Sequence, residues 1–530
     1  MAPHFHLCFL FFIYTATYHH RNCVQATSSA IKEACKATRF PKTCHVSLTK
    51  SGIVPTDPKP YQILLSTLSL SSKNLATAES MVQRILKDKH NADNHNLTTT
   101  AELCVESLRH SVYRLTSSKK ALQHSRMKDA RAWTSAALSY QFDCLSGLKK
   151  VNDTQLVAKT VLFMNNTLMT STSNALSMMM SYERFGNRTS WWGPPRTERN
   201  GVWESVGGGS SGHEPMVPAD LKQNVTVCKG AGVCSFEMVQ MAVDAAPDNL
   251  GGERRFVIMI KEGVYEEVVR VGLAKRNVML IGDGIGKTVI SGSLNVGKLG
   301  MPTYNTATVG VVGDGFMARD LTIQNTAGPE GQQAVAFRSD SDLSMIENCE
   351  FIGNQDTLYA HTLRQYYKSC IIQGNVDFIF GNSAAIFHNC TILVRPRELV
   401  KAGNSVISAH GRFDPAQTTG FVFQDCVVSG TPEYMQLLPK NPSVFLGRPW
   451  KEYSRSVFLR CRLEGIVSPF GWMRWDGEFA LKTLYFGEFG NVGLGSNLSA
   501  RVWWSSRTPA DHVSVYSVHN FIQGDHWMLT

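Results

Sequence analysis

The sequence predicts a protein of two parts, an all-α four-helix bundle followed by a mainly β domain folded as a parallel β-helix. Up to about residue 180, apolar residues recur at three- and four-residue steps, which is the period of amphipathic helices. Beyond Asn224, short apolar strands recur instead, with a base step of about 20 residues, as stacked solenoid coils produce. The 530 residues leave room for both cores.

The first segment, residues 1–26, has the pattern of a secretory signal peptide. An apolar run of 13 residues (6–18) is too short for a membrane span, and Val24-Gln25-Ala26 offers small residues for cleavage. Because the segment before this run has histidines but no Lys or Arg, the alternative is a buried N-terminal helix. We expect a secreted, extracellular protein without a membrane span.

Glycosylation sequons and cysteines agree with secretion, although the sequon is a short motif. Seven sequons occur, at Asn96, Asn152, Asn165, Asn187, Asn224, Asn389 and Asn497. Cleavage after Ala26 would remove Cys8 and Cys23 and leave 11 of the 13 cysteines. An odd count leaves at least one free thiol in a protein without intermolecular bridges.

Residues 27–190 form the predicted bundle. Four segments carry the helical pattern and can bury one another's apolar faces: 61–86, 98–115, 130–148 and 156–180. Cys35 and Cys44 lie close together before them, and Cys104 and Cys144 fall on two of the helices. We expect one local bridge and one bridge between helices, although spacing alone leaves other pairings open. Residues 191–222, rich in Gly and Pro, are predicted to be a linker.

Residues 223–530 repeat a unit made of a short strand, a kink near Asn, Asp or Cys, and two apolar residues. If the kinks are equivalent, the steps between them are 29, 21, 20, 36 and 35 residues, at Asp320, Cys349, Cys370, Cys390, Cys426 and Cys461. An irregular antiparallel β-sandwich, the alternative, would not keep one side-chain type at one place in consecutive units. A parallel β-helix is therefore favoured.

Polar residues share this coil step. Gln333 lies 22 residues before Gln355, and Asp356 lies 21 residues before Asp377, so the four side chains can project from successive coils into one patch. Two carboxylates in unlike surroundings suit a nucleophile or base and a proton donor, and amides suit an oxyanion. The alternative is that both aspartates serve turns, as Asp often does.

The net charge of +10 favours an acidic partner, either nucleic acid, an anionic membrane or a polyanionic polysaccharide. Secretion argues against nucleic acid. No His, Cys and Asp grouping has the spacing of metal ligands, so neither a metal site nor another cofactor is expected.

Five ordered motifs resemble the signature segments of plant pectinesterases. They are GVYEE (263–267), QAVA (333–336), QDTLY (355–359), DFIFGN (377–382) and LGRPW (446–450). The helical half is similar in architecture and cysteine placement to the pectinesterase-inhibitor domain that precedes many of these enzymes. The resemblance implies a right-handed β-helix in the plant cell wall, which hydrolyses the methyl esters of homogalacturonan without a metal or cofactor and acts as a monomer.

By this resemblance Asp377 is the nucleophile, and Asp356 is the acid that protonates the leaving methoxide and then the base that activates water. Gln355 and Gln333 are implied to stabilise the oxyanion, with Gln333 also touching substrate, and Arg448 to hold Asp377 ionised. On this basis we expect the pKa of Asp377 to be lowered by Arg448.

The resemblance also implies substrate contacts at Thr303, Trp450 and Trp472, and a disulfide between Cys370 and Cys390. Asn354 stands where relatives usually have an aromatic residue, and no dibasic processing site lies between the two halves. The implied partners are pectin and either the chain's own inhibitor-like domain or other pectinesterases.

Two alternatives of other kinds remain. One is a non-catalytic wall protein that binds pectin or pectinesterases, and the complete motif set argues against it. The other is a polygalacturonase or pectate lyase, whose acidic clusters are not visible in this sequence.

Overall fold

A computed structural model describes residues 27–88, 94–151, 154–207, 216–218, 221–230, 234–297, 301–397, 404–437 and 443–528. The predicted signal peptide, the sequon at Asn152 and part of the predicted linker lie outside these residues. The chain divides into two compact units between Arg196 and Thr197. Among the helices in the ranges just given, none is long and apolar enough to cross a membrane.

The first unit is a helical bundle, as predicted. Its helices are α1 (residues 27–35), α2 (Pro41–Ser51), α3 (Pro60–Lys87), α4 (His95–Gln123), α5 (Met127–Lys150), α6 (Gln155–Phe163) and α7 (Met169–Phe185). A π-helical turn, Met164–Leu168, joins α6 to α7. Asn94 and Thr154 cap α4 and α6 by accepting a hydrogen bond from the backbone N–H three residues on, which explains where these helices begin.

The bundle buries leucine, alanine and methionine side chains between α3, α4, α5 and α7, including Leu64, Leu108 and Met178. Two disulfides join Cys35 to Cys44 and Cys104 to Cys144. Both pairings are the ones that the sequence predicted.

The second unit is a parallel β-helix of three sheets, which confirms the predicted fold class. The first sheet contains, in spatial order, β1 (Val225–Val227), β2 (Phe256–Ile260), β5 (Val278–Gly282), β8 (Met317–Arg319), β11 (Ser344–Glu347), β14 (Arg364–Lys368), β17 (Ala384–His388), β20 (Gly420–Gln424), β23 (Arg455–Leu459), β25 (Tyr485–Phe489) and β26 (Ser506–Arg507).

The second sheet contains β3 (Gly263–Glu266), β6 (Thr288–Gly292), β9 (Thr322–Asn325), β12 (Glu350–Ile352), β15 (Ile371–Gly374), β18 (Thr391–Val394), β21 (Val427–Gly430) and β24 (Arg462–Leu463). The third contains β4 (Val269–Val271), β7 (Val309–Val311), β10 (Phe337–Ser339), β13 (Leu358–Ala360), β16 (Val376–Gly381), β19 (Ser405–His410) and β22 (Val444–Gly447). Short helices lie outside the sheets: α8 (Val239–Asp244), α9 (Pro432–Gln436) and α10 (Val518–Ile522).

Each kink predicted from the sequence is a corner between the first and second sheets. The corner residue has a left-handed backbone, with φ between 49° and 59°, at Asp320, Asn348, Ser369, Asn389, Asp425 and Arg460. Asn and Asp adopt this conformation more readily than most residues. The strand pairing of Thr322 with Glu350 aligns Leu321 with Cys349, so the predicted equivalence of Asp320 with Cys349 was wrong by one residue.

The core inside the coils is a column of stacked side chains. Tyr367, Phe387, Phe423 and Phe458 stack in succession, with ring centroids 4.9, 4.8 and 4.2 Å apart. In-register parallel strands repeat the same position at every coil, so rings on successive coils lie face to face. The column belongs to the first sheet and forms part of the continuous core of the solenoid.

The compact unit that contains the β-helix starts at Thr197 and so includes part of the predicted linker. Val217, within the predicted linker, is fully buried, and its N–H donates to Glu347 Oε2 at 2.7 Å. Part of this Gly- and Pro-rich segment therefore packs on the solenoid.

Candidate active site

The third sheet places the two aspartates of the predicted patch side by side. Leu358 pairs with Ile379 and Tyr359 with Phe380, so the offset between β13 and β16 is 21 residues. The same offset relates Asp356 to Asp377, which puts them at equivalent points of neighbouring coils.

An irregularity in β16 turns Asp377 outward. Its pairing with β19 shifts register between Val376 and Ile379, as in a β-bulge, and Asp377 has a φ of 48°. Phe378, the next residue, is fully buried in the core. Bulges re-aim side chains and are frequent beside active sites, and here the bulge presents one carboxylate while burying its aromatic neighbour. Asp356 is also left-handed, with a φ of 64°.

A cavity of about 340 Å³ opens over the aspartates, near the lower end of the usual range for ligand pockets, roughly 300–1,000 Å³. Most of the sequence-predicted site residues line it: Thr303, Gln333, Gln355, Asp356, Asp377, Arg448 and Trp450. Four lining residues were not predicted: Tyr359, Phe380, Ala409 and Trp475. Asn354, singled out in the sequence, is not among the lining residues, and its side-chain oxygen accepts from Asn375 Nδ2 at 3.3 Å.

Trp472 does not belong to this cavity, so its predicted role as a substrate contact was wrong. The ring is 1% exposed, stacks on Phe486 at 4.4 Å and donates its indole N–H to Glu488 Oε1 at 3.1 Å. Trp475, three residues later, lines the cavity as Trp450 does, and the Arg448 guanidinium carbon lies 4.4 Å from the centroid of its ring. The segment around Trp475 lacks a strand period that would have revealed which way the ring faces.

Asp377 and Arg448 form a two-pronged ion pair. Arg448 Nε donates to one carboxylate oxygen at 2.9 Å and Nη2 to the other at 2.7 Å. Burial nevertheless raises the pKa of Asp377, and the hydrogen bonds and charge of Arg448, with the charge of Arg397, offset only part of this effect. The expected lowering of this pKa was therefore wrong, because desolvation of a carboxylate that is 5% exposed outweighs its cation.

Asp356 is harder to ionise than an ordinary aspartate. Burial raises its pKa well above the usual range, the neighbouring charge of Asp377 raises it further, and Arg448 lowers it in part. Arg448 bonds directly to Asp377 and only acts at a distance on Asp356. This arrangement favours one ionised carboxylate, Asp377, beside one protonated carboxyl, Asp356.

Aromatic rings form one wall of the cavity. Tyr359 stacks on Phe380 with ring centroids 4.1 Å apart, and Phe380 meets the edge of Trp450 at 6.0 Å. This wall is apolar, while the carboxylates and amides of the cavity lie beside it.

The structure does not contain the predicted disulfide between Cys370 and Cys390. Both are buried free thiols, in one column with Cys349, Cys426 and Cys461 on successive coils. The thiols of Cys370 and Cys390 donate instead to backbone carbonyl oxygens, such as those of Lys368 and His388. A third disulfide joins Cys228 to Cys234. Across the described ranges, no group of three or more His, Cys, Asp or Glu could hold a metal ion.

Comparison with known families decides the identity of the two units. A sequence model named Pectinesterase matches residues 224–525, which is more than half of the chain and includes every cavity residue. The chain belongs to the pectinesterase family. A model of the plant invertase/pectin methylesterase inhibitor family matches residues 29–178, within the helical unit. The resemblance inferred from the motifs and the one inferred from helical architecture and cysteine placement are both thereby confirmed.

Individual relatives are named as pectinesterases, and one of them also as a pectinesterase inhibitor. The chain is 56% identical to the "Probable pectinesterase/pectinesterase inhibitor 64" of Arabidopsis thaliana over 512 residues, which cover 94% of this chain and 84% of the relative. It is 36% identical to "Pectinesterase 2" of Citrus sinensis, with 94% and 92% covered. Among solved structures, pectin methylesterase from carrot matches with a TM-score of 0.56 at 41% identity, covering 59% of this pectinesterase and 96% of the carrot chain.

Proposed function

We propose that this pectinesterase removes methyl esters from homogalacturonan through an aspartyl nucleophile, Asp377, without a metal ion. The observation that carries the proposal is the pair Asp377 and Asp356 on adjacent coils, one bonded to Arg448 and the other with a pKa raised well above the usual range. Membership of the family supports the substrate class, and the +10 net charge suits a substrate that becomes a polyanion as it loses its esters.

In the first half-reaction, an oxygen of ionised Asp377 attacks the ester carbonyl and the carbonyl electrons move to its oxygen. The amide groups of Gln333 and Gln355 line the cavity and donate to this oxyanion. When the carbonyl re-forms, the bond to methoxide breaks, protonated Asp356 supplies the proton, and methanol leaves. The galacturonyl group is then held on Asp377 as an anhydride.

In the second half-reaction, ionised Asp356 takes a proton from water, whose oxygen attacks the galacturonyl carbonyl. The bond to Asp377 breaks, which returns both aspartates to their starting states. The galacturonyl group leaves as the free acid and then loses its proton to bulk water, which gives galacturonate. Asp356 acts as acid and then as base, which a raised pKa favours. Thr303 and Trp450, which line the same cavity, hold the sugar.

The direct test is methanol release from highly methylated pectin by the full chain. Asp377→Ala should abolish the release, whereas a matched control, Asp425→Ala, should not. Asp425 also forms a two-pronged pair with an arginine, Arg460, but lies on the surface with its side chain 37% exposed. Pectin binding without methanol release would favour a non-catalytic wall protein instead.

The helical unit is proposed to inhibit or chaperone the enzyme, since it belongs to the family of pectinesterase inhibitors. Adding residues 27–190 in trans to an isolated solenoid unit, residues 197–530, tests this role. Inhibition that saturates with added bundle would support it, and unchanged methanol release together with unchanged folding yield would count against it.

Secretion to the cell wall is also proposed, and it is checked by locating a tagged full chain in plant tissue.

A further inference from the structure

A short arm, residues 197–207, connects the end of the helical unit to the solenoid and packs on the solenoid. Its first turn, Glu198–Asn200, is capped reciprocally by Thr197 and Asn200 and ends at Gly201, whose φ of 69° suits glycine. This capped turn holds Glu198 with only 6% of its surface exposed. A carboxylate so deeply buried requires charged partners.

Those partners are two arginines of the solenoid. Glu198 Oε1 lies 2.9 Å from Arg455 Nη2, and Oε2 lies 3.7 Å from Arg412 Nη1. Both arginines are 2% exposed. Burial and the neighbouring charge of Arg455 lower the pKa of Arg412 to about 9, and Glu198 is the first of the acidic groups that oppose this shift, followed by Glu204 and Asp414. Without Glu198 the two guanidinium groups would be buried side by side with much less compensation.

The two arginines lie on the chain segments that support Trp450 in the cavity. Gly411, next to Arg412, packs so closely on the Trp450 ring that an added Cβ would lie 2.8 Å from it. Tyr453 N donates to the carbonyl oxygen of Arg412 at 2.9 Å. The Glu198 pairs therefore link Arg455, which follows the turn that carries Trp450, to Arg412, on the segment against which that turn packs.

One buried histidine completes this connection. His410 Nδ1 accepts from the backbone N–H of Arg412 at 3.2 Å and of Arg455 at 3.3 Å. Burial lowers the pKa of His410 well below its usual value, as the charges of both arginines do, so the ring stays neutral and its Nδ1 stays an acceptor. His410 thus holds the backbones of both arginines, and Glu198 holds their side chains.

The rest of the arm packs beside the C-terminal segments of the same unit. Trp203 stacks on His512 at 4.3 Å and meets the edge of Tyr485 at 5.4 Å. Arg199 donates to the carbonyl oxygen of Trp504 at 3.3 Å, and Gly207 N to Asn520 Oδ1 at 2.9 Å. These contacts hold the part of the arm that follows Glu198 against the solenoid unit.

We propose that Glu198 is a positioning residue of the pectinesterase site, which acts from the arm through Arg412 and Arg455 on the turn that carries Trp450. The inference rests on the proposed function, because Trp450 is taken to bind the sugar. It also makes residues 197–207 part of the enzyme. Proteolysis that separates the helical unit leaves the cavity intact only if this arm stays bound to the solenoid.

The test compares Glu198→Gln, Glu198→Asp and Trp450→Ala in the full chain, with Glu464→Gln as the matched control. Glu464 pairs with Arg462 at 2.7 Å on the surface, where Arg462 is 65% exposed. For Glu198→Gln we expect KM for methylated pectin to rise about threefold to thirtyfold with kcat reduced far less. Glu198→Asp keeps the charge, so its KM should lie much closer to the wild-type value than that of Glu198→Gln. The control should have the wild-type KM.

A double-mutant cycle separates positioning from general stability. If Glu198 acts through Trp450, adding Glu198→Gln to Trp450→Ala should leave KM where Trp450→Ala alone puts it. The proposal would be overturned if the effects of the two substitutions on KM multiply in the double variant. It would also be overturned if Glu198→Gln lowers kcat and the active fraction equally and leaves KM unchanged. Should Glu198→Gln fail to fold, Arg412→Gln provides the same comparison, because it keeps the shorter pair of Glu198 with Arg455, and an unchanged KM in that variant would likewise overturn the proposal.

The binding of a methylated oligogalacturonate, measured by calorimetry, distinguishes failure of this inference from failure of the proposed reaction. A wild type that binds the oligomer but releases no methanol contradicts the esterase mechanism only. In that case weaker binding by both Glu198→Gln and Trp450→Ala still supports the positioning role, and weaker binding by Trp450→Ala alone contradicts it.

Discussion

Replacing Arg448 by alanine should destabilise the solenoid far more than the same change at Arg460. Each arginine makes two hydrogen bonds to one aspartate, at 2.9 and 2.7 Å for Arg448 with Asp377 and at 2.9 and 3.1 Å for Arg460 with Asp425. The pairs differ in exposure, because the Asp377 side chain is 7% exposed and that of Asp425 is 37% exposed. Breaking a buried pair costs about 3–5 kcal/mol of unfolding free energy, whereas an exposed pair contributes about 0–1 kcal/mol.

Urea unfolding near pH 7 measures this difference. Arg448→Ala leaves Asp377 with a pKa raised still further, so the loss should be largest at high pH. It should shrink as pH falls through that pKa and Asp377 takes up a proton. The acidic limb of methanol release by Arg448→Ala should move to higher pH for the same reason. Equal losses in the two variants, or a loss independent of pH in Arg448→Ala, would refute the reasoning.

Three further predictions concern other parts of the second unit. Because folding raises the pKa of Asp356, its ionisation weakens the fold as pH rises from the ordinary aspartate value through the folded pKa. Asp356→Asn should therefore become more stable than the wild type across this window, by about 1.4 kcal/mol per pH unit in urea unfolding, and parallel profiles would contradict it. Serine at both Cys228 and Cys234 opens a bridge across 6 residues and should lower the unfolding free energy by about 2 kcal/mol; an unchanged urea midpoint would argue against it. Trp475→Ala should raise KM for methylated pectin about tenfold, while Trp503→Ala, whose ring is 64% exposed and does not line the cavity, should not; equal KM values would exclude a role for Trp475.

The sequence predicted the features that depend on a regular step along the chain. The 21-residue offset between Asp356 and Asp377 is the offset of the strands that carry them, because in-register parallel coils convert sequence spacing directly into proximity. Helical periodicity likewise located the bundle helices, although the structure extends α4 to Gln123, eight residues beyond the predicted end at Leu115. Both follow from local patterns that recur many times.

The features that the sequence did not predict depend on side-chain direction in irregular segments and on long-range pairing. Trp472 and Trp475 lie three residues apart with no strand between them, so no alternation indicates which indole faces the cavity. The sign of the Asp377 pKa shift depends on burial, which the motif does not reveal. Glu198 was assigned to the linker by composition. Its partners, Arg412 and Arg455, lie more than 200 residues away in sequence, so no local pattern indicates these pairs.

The most direct test of the central claim is to find the covalent intermediate. The full chain is mixed with highly methylated pectin oligomers, quenched in acid within a turnover, digested and analysed by mass spectrometry. The proposed mechanism predicts a galacturonyl group on the peptide that contains Asp377, formed together with methanol and absent from Asp377→Asn. A galacturonyl group on another side chain, or methanol release by Asp377→Asn at more than about a tenth of the wild-type rate, would contradict the assignment of Asp377 as the nucleophile.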